Sequence, residues 1–224
     1  GTASSPAMDA FFAALEDRFR GSRDVVRDRL RHYLPLLEAL PPGPVADLGC
    51  GRGEWLALVT EAGRQPVGVD ANAASVEACR GHGFDVHHGD VVAWLRSSDK
   101  ASFAAISAFH LIEHLDFSAQ QQVIALSLRA LVPGGLLLIE TPNPENLLVA
   151  TNSFYYDPSH VRPLPPELAL FMLEYAGFAE VRVERLNDAD REQMLTEPTE
   201  VAMRCNHFFY AAQDFAVHGR RPRA

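Results

Sequence analysis

The stretch Val45-Ala46-Asp47-Leu48-Gly49-Cys50-Gly51-Arg52-Gly53-Glu54-Trp55 constrains the fold more than any other part of the chain. It enters from the breaker cluster Pro41-Pro42-Gly43-Pro44 as a short apolar run with β-branched content, which reads as a buried strand. Glycines on alternate positions follow, and a helical pattern begins near Glu54. Glycine allows positive φ and lets a ligand approach without meeting a Cβ, while the helix points its free N–H groups back at the loop. Such a unit holds a nucleotide-like ligand outside the carboxyl end of a sheet. Val67-Gly68-Val69-Asp70 reads as a second buried strand ending in an acid, roughly 20 residues on, where a carboxylate meets ribose hydroxyls. Phe84-Asp85-Val86-His87-His88-Gly89-Asp90-Val91 reads as a third strand closing on Gly-Asp. Asp47 would repel a pyrophosphate and suits a ligand carrying an ammonium or sulfonium charge. The G-C-G-R-G spacing also departs from the G-x-G-x-x-G of nicotinamide enzymes.

These residues resemble the first motif, D-x-G-C-G-x-G, of the class I S-adenosylmethionine (SAM)-dependent methyltransferases, and the resemblance runs from about Val45 to Phe178. It implies a Rossmann-like doubly wound α/β sheet of seven strands, six parallel and the last antiparallel, with SAM as cofactor. Asp47 and the backbone at Gly49, Gly51 and Gly53 are expected to hold the amino-acid end of SAM, and Asp70 both ribose hydroxyls. Asp90 and the Val91 N–H are expected at the adenine, with Cys50, Ala71 and Phe109 completing the lining. Arg20, beside the break Gly21-Ser22, is the candidate for the SAM carboxylate, because similar N-terminal segments in glycan methyltransferases close over the cofactor.

Asp9 to Phe19 has the apolar spacing of an amphipathic helix, and Ser22 can cap a second helix running through Leu37. Residues 1–40 are therefore expected to form a helical cap and residues 41–224 the methyltransferase domain. Helices are expected over Glu54 to Ala62, Asn72 to Arg80, Val91 to Leu95, Ser118 to Leu131 and Thr199 to Tyr210. Strands are expected over Phe103 to Ala108, Gly135 to Glu140, Val181 to Glu184 and Phe215 to Val217.

Phe109-His110-Leu111-Ile112-Glu113-His114-Leu115 follows the fourth strand. If it is helical, His110, Glu113 and His114 share one face at i, i+3 and i+4. Two imidazoles and a carboxylate converging there suit Mg²⁺, Mn²⁺ or Zn²⁺, and His160 can return to the same edge as a fourth ligand. The pattern resembles the E-x-x-E-H plus distal His site of Mg²⁺-dependent small-RNA 2′-O-methyltransferases: Glu113 and His114 match, His110 stands in place of the first Glu, and His160 matches the distal His. His110 is either a ligand or a general base, and His110, Glu113 and His114 form the candidate catalytic set. The loop over about 141–166 is longer than a connector needs. Its T-P-N-P-E-N, F-Y-x-D-P-S-H and P-L-P-P strings resemble bacterial glycan methyltransferases of the O-antigen chain-terminator and mycobacterial methylmannose types. Tyr155 and Tyr156 are candidates for stacking on sugar faces, and Asn143, Asn146 and Asp157 for bonding hydroxyls.

The formal charge of −9 leaves little cationic surface for a nucleic-acid backbone. The cysteines Cys50, Cys79 and Cys205 lack metal spacing and are odd in number, as expected in a reducing cytoplasm. No apolar run reaches about 18 residues, so no membrane span is expected. The sequence thus points to a cytoplasmic SAM-dependent O-methyltransferase acting on an oligosaccharide hydroxyl, a manno-oligosaccharide being the specific expectation, with divalent-metal-assisted deprotonation. The alternatives are an RNA ribose 2′-O-methyltransferase, a small-molecule O-methyltransferase and a non-catalytic SAM-binding subunit. A homodimer is left open.

Overall fold

A computed structural model describes residues 6–189 and 191–223. Helix α1 spans Pro6–Phe19, Gly21 breaks the chain at φ +101°, and Ser22 caps α2, Arg23–Leu30, its Oγ accepting from the Val25 N–H at 3.4 Å. The expected single helix through Leu37 does not form. It gives way to a 3₁₀ turn, Arg31–Tyr33, and a short α3, Leu34–Glu38. Pro35 explains the break: it lacks an N–H and its ring would meet the carbonyl four residues back, at Arg31.

The remaining elements are β1 (Val45–Leu48), α4 (Glu54–Glu61), β2 (Pro66–Asp70), α5 (Ala73–Gly81), β3 (Val86–His88), α6 (Val91–Ser97) and β4 (Phe103–Phe109). They continue with α7 (Phe117–Ala130), β5 (Leu131–Pro142), α8 (Leu147–Thr151), α9 (Pro166–Ala176), β6 (Ala179–Leu186), α10 (Glu200–Phe209) and β7 (Asp214–Arg220). Helix α9 is not among the expected elements, although Pro166 at its first turn and the left-handed Gly177 at its end mark it in the sequence.

The seven strands form one sheet in the order β3-β2-β1-β4-β5-β7-β6. β1 to β5 are mutually parallel, and β7 runs antiparallel between β5 and β6. The chain reverses its direction of growth between β1 and β4, so the crevice for a ligand lies beyond the carboxyl ends of these two strands. Because β7 is antiparallel, its first residue reaches that same edge: Asp214 sits opposite Pro142, and Glu140 pairs with Phe109.

One face of the sheet is covered by a core containing Ile106, Ile112, Val123, Leu137, Met172 and Phe215. On the other face Val26, Leu30, Tyr33 and Leu37 of the N-terminal segment join Val45, Trp55, Leu58, Phe109 and Leu138 in a shared core. The N-terminal segment is thus held by apolar burial against β1, β4 and β5, the dominant favourable term available to it. Among the described residues no helix is long and apolar enough to cross a membrane.

Candidate active site

The loop after β1 is wound by its own backbone. Gly49, Gly51 and Gly53 have φ of +67°, +49° and +81°, values that L side chains rarely adopt. A Cβ at Gly53 would lie 2.9 Å from Cys79 Sγ, and one at Gly49 would lie 3.0 Å from Leu111. Asp70, at the end of β2, stabilises the loop directly: Oδ2 accepts from the Gly51 N–H at 2.8 Å and Oδ1 from the Asn72 N–H at 2.7 Å. Below the loop Asp47 is buried and accepts from Ser107 Oγ at 2.7 Å. Burial raises its pKa to about 7, against the opposing Ser107 hydrogen bond and Arg20 charge. A buried carboxyl held half-neutral in this way has a standing preference for a cation beside it.

The segment after β4 is not the expected α-helix, so the proposed shared face does not exist. His110 lies in the left-handed region at φ +51°, its N–H donates to Glu140 O at 2.9 Å, and only Ile112–His114 make a 3₁₀ turn. Gln120 of α7, fully buried, secures that turn by donating to Ile112 O at 2.9 Å and Leu115 O at 3.1 Å. The consequence is that His110 and His114 point into two different clusters.

His110 sits among acids. Its Nδ1 is 3.3 Å from Glu113 Oε1, and its Nε2 is 3.3 Å from Glu140 Oε1 and 3.8 Å from Asp214 Oδ1. Burial alone would lower its pKa, but Glu113, Glu140 and Asp214 outweigh that and raise it to about 10. With no cation beside it the ring is held charged near neutral pH, with a carboxylate at each nitrogen, and His110, Glu140 and Asp214 offer ligand atoms within 4.8 Å of one another, a second group distinct from the one that His114 joins. Burial alone would raise Glu113, but the contact with His110 and its charge bring it down to about 2. Tyr33 Oη donates to Glu140 Oε2, and Asn187 donates to Asp214 Oδ2 at 2.7 Å.

The second cluster is Glu113, His114 and His160, each of which offers a ligand atom within 4.8 Å of the others. The loop expected to return to this edge does so: the Val161 N–H donates to Glu113 O at 2.9 Å. The tautomers follow from the partners. His160 Nδ1 faces Phe154 O at 2.6 Å and must donate to it, so Nε2 is the nitrogen left to meet a ligand. Ser159 Oγ gives its proton to Asp157 Oδ1 at 2.6 Å and so accepts from His114 Nδ1 at 2.9 Å, which leaves His114 Nε2 open as well. Burial lowers the His114 pKa and keeps the ring neutral. Glu113 is fully buried: Oε2 accepts from Thr141 Oγ1 at 2.9 Å, and Oε1 has His110 Nδ1 as its polar neighbour at 3.3 Å. Imidazoles held through Nδ1, with Nε2 turned toward a buried carboxylate, are the chemistry of a metal ligand set.

Several expected contacts are spent within the chain. Asn143 is fully buried, its amide donating to Ala212 O at 3.0 Å and its Oδ1 accepting from the Glu145 N–H. Asn146 donates to Ala211 O at 2.8 Å and caps α8 with Oδ1. Both fasten the loop with their side-chain amides. Asp157 holds Ser159, while Tyr155 and Tyr156 are 64% and 45% exposed. Phe109 packs against Tyr33 and Trp55 at centroid distances of 5.4 and 5.3 Å, so it belongs to the core under the N-terminal segment. Asp90 caps α6 through the Ala93 N–H at 2.8 Å, Val91 begins that helix, and Ala71 O faces His88 Nε2 at 3.1 Å. Cys50 is buried within the glycine loop. Arg20 acts by charge on Asp47, Glu140 and His110, so it lies within electrostatic reach of both halves of the site. The sequence reading missed Tyr33, Glu140, Thr141, Ser159 and Asp214. Only Glu140, an acid closing an apolar strand, carried a local signal.

A family model described as "Methyltransferase domain" matches residues 18–183. The chain belongs to the class I SAM-dependent methyltransferases. A SAM-dependent methyltransferase of Archaeoglobus fulgidus superposes with a TM-score of 0.87 at 31% identity, over 94% of this chain and 99% of that one. A protein of Mycolicibacterium smegmatis named as an S-adenosylmethionine-dependent methyltransferase is 32% identical over 69% of this chain and 57% of its own length. A trans-aconitate 2-methyltransferase of Sinorhizobium fredii is 32% identical over 60% of this chain and 50% of its own. The chain spans about half the length of the curated relatives it matches. The methyltransferase's own residues fit SAM: a Cβ-free cradle, a buried acid that prefers a cation, and an acid at the end of β2.

Proposed function

We propose that the protein transfers the methyl group of SAM to a hydroxyl oxygen of a neutral, polyhydroxylated acceptor such as an oligosaccharide. The observation that carries this reading is the convergence of Glu113, His114 and His160 at the carboxyl edge of the sheet. SAM supplies an already activated methyl group, so the protein's tasks are orientation and removal of the hydroxyl proton. Glu113, His114 and His160 are the residues that would hold a divalent cation, which lowers the pKa of a coordinated hydroxyl. Ser159 and the Phe154 carbonyl fix the tautomers of the two rings, and Thr141 fixes Glu113. The imidazolium of His110 stands between Glu113 and Glu140 and offsets their repulsion.

The charge of the site supports a neutral acceptor. Glu113 and Glu140 are buried at this edge with lowered pKa values, and their charge would repel a carboxylate acceptor of the trans-aconitate kind or a phosphate backbone. The exposed rings of Tyr155 and Tyr156, on the loop that also supplies His160, are suited to stacking on a sugar face. A second reading rests on the neutral His114: without a cation, its free Nε2 takes the hydroxyl proton directly.

The test is methyl transfer from labelled SAM to a panel of partly methylated manno-oligosaccharides, with and without EDTA. Turnover that EDTA removes and Mg²⁺ or Mn²⁺ restores supports the metal reading. Turnover indifferent to EDTA supports His114 as base. Transfer to carboxylates or amines but to no hydroxyl would sink the proposal.

A further inference from the structure

Tyr33 belongs to the N-terminal segment and not to the sheet, yet its hydroxyl ends inside the acid cluster. It is buried, packed edge-on against Trp55 and tilted against Phe109, and it donates to Glu140 Oε2. The other oxygen of Glu140 faces His110 Nε2 at 3.3 Å, and His110 Nδ1 faces Glu113 Oε1 at the same distance. Glu113 is the carboxylate shared by both clusters, and its Oε2 is held by Thr141. An unbroken line of polar contacts thus runs from the N-terminal segment through β5 and the turn after β4 to the candidate metal ligand. Tyr33, Glu140 and Glu113 have side chains in low-exposure surroundings, where such contacts are strong and unpaired members are costly.

We propose that Tyr33 is a positioning residue for the acceptor-activating site: docking of the N-terminal segment inserts its hydroxyl onto Glu140, which orients His110 and through it Glu113. The physical reason is that a carboxylate accepting from a phenol has one oxygen fixed, so its other oxygen presents a defined lone pair to His110 Nε2. Without the phenol, Glu140 can rotate, and His110 Nε2 loses the fixed oxygen that orients its ring. Outer contacts of this kind typically alter metal affinity by about tenfold to a hundredfold. Two links separate Tyr33 from the ligand, so the lower end of that range is expected. The same segment carries Arg20, and Arg23 NH2 donates to Arg52 O of the glycine loop at 2.7 Å. The N-terminal segment therefore touches both the glycine loop and the acid cluster.

The proposal rests on the metal reading above and is separable from it. The experiment compares wild type, Tyr33→Phe and Glu140→Gln; both substitutions keep the volume of the side chain. Mn²⁺ binding is followed by electron paramagnetic resonance, SAM binding by calorimetry, and the His110 ring nitrogens by ¹⁵N NMR. The expected result is about tenfold weaker Mn²⁺ binding in Tyr33→Phe, with a SAM Kd within about twofold of wild type. A lower kcat at unchanged SAM KM and shifted His110 signals are expected with it. Equal Mn²⁺ affinity in wild type and Tyr33→Phe overturns the proposal and reduces Tyr33 to packing. If wild type itself binds no Mn²⁺, the metal reading falls instead and the His110 signals decide: shifted in both variants, the line of contacts stands; unmoved, it is overturned. Should Tyr33→Phe fail to fold, Glu140→Gln gives the same comparison.

Discussion

The carboxyl edge of the sheet has two halves built in different ways. The cofactor half, around β1 and β2, is mostly backbone: three positive-φ glycines, with Asp70 bonded to the Gly51 and Asn72 N–H groups. The acceptor half, around β4, β5 and β7, is mostly side chains, and its members come from Tyr33, Glu113, Glu140, His160 and Asp214. A backbone cradle is specified by a contiguous motif and tolerates little but glycine. A side-chain cluster is assembled across the fold, so its members can be exchanged one at a time, and with them the acceptor. The cradle is therefore the half expected to be common to chemically different methyltransferases, and the cluster the half that sets chemistry.

If the halves are independent, damage to one should leave the other working. Glu113→Gln is expected to have the largest effect, reducing kcat by roughly a hundredfold to ten-thousandfold, the scale of a lost proton-transfer function. Calorimetry should still give a wild-type SAM Kd; a comparable loss of SAM binding would break the division. Ser159→Ala frees His114 Nδ1 from the partner that fixes its tautomer. It should weaken Mn²⁺ binding by about tenfold or more, again with SAM binding intact.

The cofactor half should respond to pH in its own way. Asp47 has a folded-state pKa of about 7, above its ordinary 3.8. Between these values the folded protein holds a proton that the unfolded chain has released, so this group's contribution to stability falls as pH rises from about 4 to 7. A cationic ligand prefers the carboxylate. SAM affinity should accordingly weaken about tenfold for each pH unit below 7 and level off above it, with a proton released on binding at acid pH. A flat SAM Kd between pH 5.5 and 8 would separate Asp47 from the ligand's charge. The smallest effect is expected from Gly53→Ala, whose Cβ meets Cys79 Sγ at 2.9 Å in a left-handed backbone. Thermal unfolding should register a loss of about 1–2 kcal/mol. Its EDTA response should match wild type, because the strain lies on the cofactor side.

The same division explains what could be read from the chain. The strand–glycine loop–helix unit, the acid closing β2 and the alternation of strands and helices are local patterns. They carried the α/β class, and the family resemblance they support implied the seven strands and the antiparallel last one, as observed. The acceptor half was legible only in part. Glu113, His114 and His160 come together, but by a different route from the expected helix face: the turn is 3₁₀, and His110 is turned away by a left-handed backbone. Spacing of i, i+3 and i+4 has meaning only if the helix forms, and here Gln120 and the loop at Val161 hold another shape. Asn143 and Asn146 misled because a polar residue in a long loop bonds the loop's own backbone as readily as a ligand.

By itself, then, the sequence determined the methyltransferase scaffold and the cradle, since turn geometry and strand burial depend on neighbours in the chain. Tertiary structure alone decided the charge on His110, the role of Tyr33 and the presence of Asp214 at the site. Those depend on which carboxylates meet in a buried space, and antiparallel pairing of β7 with β5 brings Asp214 to the edge from 74 residues beyond Glu140. Electrostatics in a low-dielectric interior is set by distance in space, and separation along the chain does not record it.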